Sequence, residues 1–247
     1  MTNAQSSDMI SSMDLKPEKS VSLNRICVAA GCIVFLGILL FRGADSMAAR
    51  SVSPAAIAPA DGGPSAGKFL VATERITDPR FRATVVLLIH YDGDGAVGLI
   101  VNRPTMVKLS SLLPGIKELR KRSDTAFIGG PVGMKQLFML VRSSASPIES
   151  LPVLQGVYVS TSAKLLERVV REGGKEKFRL YAGYSGWTTG QLEQELSRGD
   201  WRILPADAET IFDRDPALIW PDLIRRSSVI RIREERPDDT ILRRLSL

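Results

Sequence analysis

The chain has 247 residues, 44% hydrophobic and 24% charged, which fits one large globular domain or two small ones. An aromatic share of 6% argues against a stacking platform for single-stranded nucleic acid. The net charge of +6 is a mild excess that allows anionic lipid headgroups or nucleic acid, but an ordinary solvated surface explains it as readily.

Residues 1–25 are polar and of mixed charge. An almost unbroken apolar run, Ile26–Phe41, follows between Arg25 and Arg42. Helical, it would span about 24 Å, slightly less than the hydrocarbon core of a bilayer. Three readings compete: an uncleaved signal anchor, a signal peptide cleaved around Ala44–Ser46 or Ser46–Ala49, and a buried core helix. The third is disfavoured because the run is apolar all round rather than along one stripe. Cys32 is not a lipoprotein site, since most of the apolar residues follow it. Lys16, Lys19 and Arg25 on the near side against Arg42 and Arg50 on the far side favour an exported domain. Translation from Met47 would instead give a cytoplasmic product without the run. Residues 42–66 are rich in Ala, Pro, Ser and Gly and read as a tether. Cys27 and Cys32 are the only cysteines, so the region beyond can form no disulfide, thiolate metal site or cysteine nucleophile.

A domain over residues 67–225 follows. Gly67–Thr73 reads as a strand. Ala83–Tyr91 and Ala96–Asn102 flank Asp92-Gly93-Asp94-Gly95, a hairpin pattern, and both are apolar enough to be covered on two faces. Leu109–Leu113 and Ile116–Arg122 are short helical pieces interrupted by Pro114. Strands are expected at Thr125–Ile128, Gln136–Arg142, Gly156–Ser160, Phe178–Tyr184 and Trp201–Leu204. Ser162–Glu172 is an amphipathic helix with Leu165, Leu166, Val169 and Val170 on one face, ended by Gly173-Gly174. Thr188–Arg198 is a helix with Thr188 and Gln191 at capping-box spacing, and Asp207 caps a helix reaching Phe212. Residues 226–247 are arginine-rich with interspersed acids and read as a solvated tail. Strands and helices intermix without a βαβ rhythm, which defines an α+β fold.

Several motifs fail on context. Gly62–Lys68 has phosphate-loop spacing, but Phe69 replaces the magnesium-binding hydroxyl and a strand follows instead of a helix. Gly93–Gly98 satisfies GxGxxG yet is followed by Leu99-Ile100-Val101, so a hairpin turn explains its glycines better. The Asp92/Asp94 pair starts like a calcium loop, with Arg103 where the bidentate Glu belongs. His90 is the only histidine, so any histidine general base must be it. Gly183-Tyr184-Ser185-Gly186-Trp187 is a nucleophile elbow but for Trp187. Three surfaces survive. Asn102-Arg103-Pro104 ends a strand, either as a ligand position or as a turn in which Asn and Arg satisfy backbone groups. Gly129-Gly130-Pro131 either offers backbone amides to an anion or makes a sharp bend. Gly183–Gln191 either presents Tyr184 and Trp187 to a partner or ends in a helix cap.

These blocks resemble the AlgH/YqgE family. The matching stretches are Thr77-Asp78-Pro79-Arg80-Phe81, His90 with Gly95–Pro104, Gly129-Gly130-Pro131-Val132, Gly183–Trp187 with Gly190–Glu193, and Gly199-Asp200-Trp201 with Pro205-Ala206-Asp207. Thr188-Thr189 stand where the family has Gly-Pro. The resemblance implies one α+β domain with a mixed, curved sheet flanked by helices, here preceded by a hydrophobic N-terminal helix. Members are commonly labelled transcriptional regulators, and the family carries over no catalytic or binding residues. The candidate ligand or partner surface is Asp78, Arg80, His90, Asn102, Arg103, Gly129, Gly130, Tyr184 and Trp187. No cofactor or metal is expected. The expected partners are an unidentified protein or a small anionic ligand, and a membrane through residues 26–41; nucleic acid is the weakest of these. The leading reading is a non-enzymatic binding or regulatory domain held at a membrane. A cytoplasmic regulator and an enzyme built on His90 compete with it.

Overall fold

The computed structural model describes residues 62–172 and 176–235. The apolar run 26–41, the linker up to Asp61, the Gly173-Gly174 stop and the tail beyond Glu235 lie outside them. Among the described residues no helix is long and apolar enough to cross a membrane.

Ten strands form one curled sheet with helices against it, an α+β domain. β1 (Lys68–Ala72), β2 (Val85–Asp92) and β3 (Gly95–Ile100) pair antiparallel in succession. The expected hairpin turns at Asp92–Gly95, and its β2 residues Val85–Leu88 are fully buried. β4 (Pro104–Lys108) and β5 (Thr125–Ile128) pair with each other. β6 (Val132–Arg142), β7 (Leu151–Leu154) and β8 (Val157–Ser160) follow, then β9 (Lys177–Thr188) and β10 (Trp201–Pro205). The main path runs β10-β1-β2-β3-β9-β6-β8-β7. All pairings are antiparallel except β5 with β9, so the sheet is mixed through one parallel contact.

β9 holds the fold together. Its first half pairs with β6, its middle lies beside β5, and its last four residues pair with β3. The change of partner occurs at Gly183, which has φ +69°. A Cβ there would stand 2.6 Å from Gly130 O and 2.8 Å from Val132 O, closer than any side chain tolerates. The sequence suggests a strand ending at Tyr184. Instead the glycine bends one continuous twelve-residue strand.

The helices cover the sheet. α1 (Leu109–Leu112) and a 3₁₀ turn (Lys117–Lys121) join α2 (Ala163–Arg171) in burying Leu109, Leu119, Leu165, Leu166, Val169 and Val170 against Met139, Val141, Phe178 and Leu180. Each such aliphatic side chain contributes about 1.5–3 kcal/mol as an upper estimate. Ser162 caps α2, accepting from Leu165 N at 3.2 Å. α3 (Gln191–Ser197) begins later than its capping-box spacing suggests. Gly190 is its N-cap, and the Gln191 side chain reaches back to accept from Thr188 N at 3.1 Å. α4 (Ala208–Phe212) carries the expected Asp207 cap, which accepts from Thr210 N at 2.7 Å.

Three elements were not legible. β4 opens at Pro104, where a stop to the ladder is expected; as the first residue of a strand, Pro104 has no donor to lose. β7 contains Pro152 and pairs with β8 at the end of the path. α5 (Pro216–Glu235) runs unbroken past Arg225, the expected start of the tail, and buries Ile219, Leu223 and Ser227.

Candidate functional site

A cleft of about 330 Å³ opens where the turn after β1, the end of β9, α3 and the start of β10 meet. Its walls combine Ile76, Phe81, Trp187 and Trp201 with the polar side chains of Arg75, Asp78, Arg80, Gln191, Glu195, Arg198 and Asp200. Residues more than a hundred positions apart in sequence come together here because β10 pairs with β1, with Trp201 opposite Ala72.

Glu195 organises the aromatic floor. Its Oε2 accepts from Trp187 Nε1 at 2.9 Å and from Trp201 Nε1 at 2.7 Å, while its Oε1 accepts from Gln191 Nε2 at 3.0 Å. Both indoles are buried, so their N–H groups need an acceptor, and one half-buried carboxylate serves them together. The two rings meet edge to face with centroids 6.0 Å apart, and Phe81 adds a second edge contact to Trp201, also at 6.0 Å.

Two arginine–aspartate ion pairs flank this floor, the first of them bidentate. Arg80 donates from Nε to both Asp78 oxygens at 3.1 Å and from Nη2 to Oδ2 at 2.7 Å. Those hydrogen bonds hold the Asp78 carboxyl below the usual carboxylate range and raise the Arg80 guanidinium. Arg198 donates from Nε to Asp200 Oδ2 at 2.9 Å, and its Nη2 lies 2.8 Å from the same oxygen. Arg75 approaches Asp200 only to 3.9 Å, with a side chain 67% exposed.

The turn that carries Asp78, Arg80 and Phe81 is tied down from behind. Asn102 Oδ1 accepts from Val85 N at 2.9 Å, and its Nδ2 donates to Ala83 O at 3.0 Å. Arg103 Nη2 donates to Pro79 O at 3.0 Å and Arg82 O at 2.9 Å; burial lowers its pKa, and the nearby Arg82 adds to the effect. These bonds hold Ala83 at φ +56°, a conformation costly for a residue with a Cβ. Asn102 and Arg103 are therefore struts of the cleft, outside its lining.

The other candidate residues lie elsewhere. Gly129 donates its N–H to Ala182 O at 2.8 Å, and its carbonyl accepts from Ile100 N at 2.8 Å and from Ser185 Oγ at 3.2 Å. Its amide is thus committed within the sheet. A Cβ on Gly130 would meet the Tyr184 carbonyl carbon at 2.2 Å, so this pair of glycines exists to let β9 pass. Tyr184 packs edge-on to Phe138 at 5.8 Å and does not line the cleft. His90 Nε2 contacts Asp92 Oδ2 at 2.8 Å on the β2–β3 hairpin, again outside the cleft. Ser185 is fully buried, which removes it as a nucleophile. Among the described residues no group of three His, Cys, Asp or Glu could hold a metal ion.

Of the nine candidates, then, Asp78, Arg80 and Trp187 meet in one place. Sequence reasoning missed Arg75, Glu195 and Arg198. Glu195 resembles an ordinary surface charge on a short helix; the available signal was its i,i+4 spacing from Gln191 between two tryptophans.

Comparison with known proteins places relatives over this domain. The family profile described as AlgH-like matches residues 69–230. A UPF0301 protein of Methylococcus capsulatus is 33% identical over 67% of this chain and 92% of its own length. One from Ralstonia nicotianae is 39% identical over 59% of this chain and 79% of its own. The solution structure of the AlgH protein from Pseudomonas aeruginosa is 33% identical, superposes with a TM-score of 0.55, and is matched over 65% of this chain and 85% of that one. A crystal structure from Corynebacterium diphtheriae, 22% identical with a TM-score of 0.57, shares the fold.

Proposed function

We propose, starting from the fact that the chain belongs to the AlgH-like family, that its domain is a non-enzymatic binding module whose recognition site is the cleft around Glu195. The observation that carries this reading is the convergence of three separated sequence blocks, Thr77–Phe81, Gly186–Gln191 and Asp200-Trp201, on one concave, partly apolar surface. Its carboxylates are committed to holding aromatic rings and arginines. The carboxylate accepts three hydrogen bonds and the aspartates are paired with arginine, which suits recognition better than proton transfer. Ser185 is buried against Gly129, and His90 sits on a hairpin apart from the cleft.

The test is a thermal-shift screen of the full-length chain against small carboxylates, phosphates, sulfonates and amines. At least one compound is expected to raise the Tm of the native chain and to do so less in the Glu195→Gln variant. A screen in which every stabilising compound acts equally on both proteins would remove the cleft as the site.

The module is held at a membrane by residues 26–41 in this reading. The support is the length and uniform apolarity of the run between two arginines, followed by a tether. Cell fractionation is expected to place the native chain with membranes. Recovery of the intact, unprocessed chain in the aqueous fraction would remove this part of the proposal and leave the cleft untouched.

A further inference from the structure

The chemistry of the cleft specifies more than a binding site. We infer that it takes a small anion with a flat apolar body, the anionic group met by Arg75, Arg80 and Arg198 and the body laid against Ile76, Phe81 and Trp201. This rests on the cleft being the recognition site.

The argument is a balance of donors and acceptors. Asp78, Asp200 and Glu195 match the three arginines in formal charge, so net charge does not decide the question. Hydrogen-bonding capacity does. Glu195 already accepts three N–H groups. Asp78 accepts from the Arg80 backbone N at 2.9 Å as well as from Arg80 Nε and Nη2. Asp200 takes Arg198 through Oδ2 and faces Arg75 through Oδ1. Acceptors in the cleft are thus largely used. Each guanidinium, by contrast, carries five N–H groups, and carboxylates engage only one edge of it. Arg80 and Arg198 use Nε and Nη2, and among the described residues neither Nη1 is spent on a carboxylate. Among the same residues the Arg75 guanidinium makes only its 3.9 Å approach to Asp200.

The surplus is therefore of donors, and it is oriented. Two N–H contacts to an aspartate, onto both oxygens for Arg80 and onto one for Arg198, bias each guanidinium toward one orientation, so fewer rotamers are lost when an anion arrives. Both pairs join residues two apart on tight turns, and the Asn102–Arg103 struts hold one of those turns. A cation would meet the opposite situation: most carboxylate oxygens already accept hydrogen bonds, and only Asp200 Oδ1, 3.9 Å from Arg75, accepts none among the described residues. The apolar half of the specification follows from Ile76 and Phe81, both half-buried, beside the Trp201 ring. A cleft of about 330 Å³ lies at the small end of ligand sites, on the order of 300–1,000 Å³, and suits a bicyclic aromatic body.

The test uses two probes with one ring system and opposite charge, naphthalene-2-sulfonate and 2-naphthylmethylammonium, titrated into the full-length chain by isothermal calorimetry. The sulfonate is expected to bind with an affinity that falls as salt rises, and the ammonium to bind at least tenfold more weakly. Arg75→Gln removes the arginine with the fewest internal contacts and should weaken the sulfonate about tenfold while leaving unfolding unchanged. If the ammonium binds as tightly as the sulfonate, and Glu195→Gln weakens both, the cleft stands and the anion assignment falls. If the sulfonate binds but Arg75→Gln and Arg198→Gln leave it unaffected, the arginine clamp is wrong. If neither probe responds to any cleft substitution, the recognition site itself is misplaced.

Discussion

Glu195→Ala is the sharpest perturbation of the cleft. It deletes the acceptor of two indole N–H groups, at 2.9 and 2.7 Å, and the partner of Gln191 at 3.0 Å. Trp187 and Trp201 are only 7% and 3% exposed, so neither ring can turn to bulk water. An orphaned buried donor costs about 1–3 kcal/mol, and two give about 2–6 kcal/mol. Glu195 itself is half-buried, so water entering beside the shortened side chain recovers part of this, leaving about 2–4 kcal/mol. That corresponds to a Tm lowered by roughly 4–16 °C. Glu195→Gln keeps one oxygen but exchanges charge-assisted bonds for neutral ones, and should cost about 1 kcal/mol. Glu193→Ala is the control on the same helix; it loses one exposed bond, from Tyr91 Oη at 2.7 Å, and should cost under about 1 kcal/mol. Urea unfolding followed by far-UV circular dichroism gives the stabilities, and tryptophan emission reports the rings. Equal stabilities and identical emission for Glu195→Ala and Glu193→Ala would refute the claim that one carboxylate sets the aromatic floor.

Arg103→Ala removes two bonds to the turn carrying Asp78, Arg80 and Phe81, and should cost about 1–3 kcal/mol with faster amide exchange confined to residues 78–84; exchange unchanged there would show that the turn holds itself. Gly183→Ala places a Cβ 2.6 Å from Gly130 O at φ +69° and should cost more than about 3 kcal/mol in the same unfolding assay, whereas a loss below about 1 kcal/mol would mean that β9 does not need its bend. Asp213 has its pKa held below the ordinary 3.8, first by its hydrogen bond to Lys177 and then by Arg142. A depressed carboxylate contributes stability above its unfolded pKa and loses it as pH falls through the folded one. Stability should therefore drop as pH is lowered below 3.8, and Asp213→Asn should flatten that part of the pH–stability curve; an unchanged slope would contradict the assignment.

Which parts were legible follows from how local each signal is. The β2–β3 hairpin announced itself through two apolar runs around Asp92-Gly93-Asp94-Gly95, because both the turn and the burial are written in adjacent residues. The α2 stripe and its Ser162 cap are equally local. β4 was missed because Pro104 reads as the stop of a ladder, and β7, a four-residue strand containing Pro152, carries too short a pattern to stand out; only the sheet order shows that one opens a strand and the other lies in the strand ending the path. β9 was cut short at Tyr184 because the glycine-rich stretch that follows gives no strand pattern, whereas the positive φ of Gly183 is a bend that lets one strand serve β6, β5 and β3. α5 was hidden by Pro221 in its interior and by a mixture of arginines and acids without a clear stripe.

For the site, the sequence singled out blocks but could not assign them to a common surface. Asp78, Arg80 and Trp187 share the cleft because β10 returns beside β1. Gly129, Gly130 and Tyr184 belong to the crossing of β9 instead, and their chemistry is spent on the backbone or on Phe138. Glu195 was invisible because its role depends on two tryptophans fourteen positions apart being folded onto one oxygen. Arg75 and Arg198 count as ordinary solvated charges until the cleft between them is seen.

The central claim is that ligand binds in the cleft floored by Trp187 and Trp201. The indole N–H resonances of the chain's three tryptophans test it directly, because Trp220 is engaged separately, donating to Ala72 O at 2.8 Å. During titration of the full-length chain with naphthalene-2-sulfonate, the Trp187 and Trp201 resonances should shift together and saturably while Trp220 stays nearly fixed. Shifts confined to Trp220, or none at saturating probe, would contradict the account.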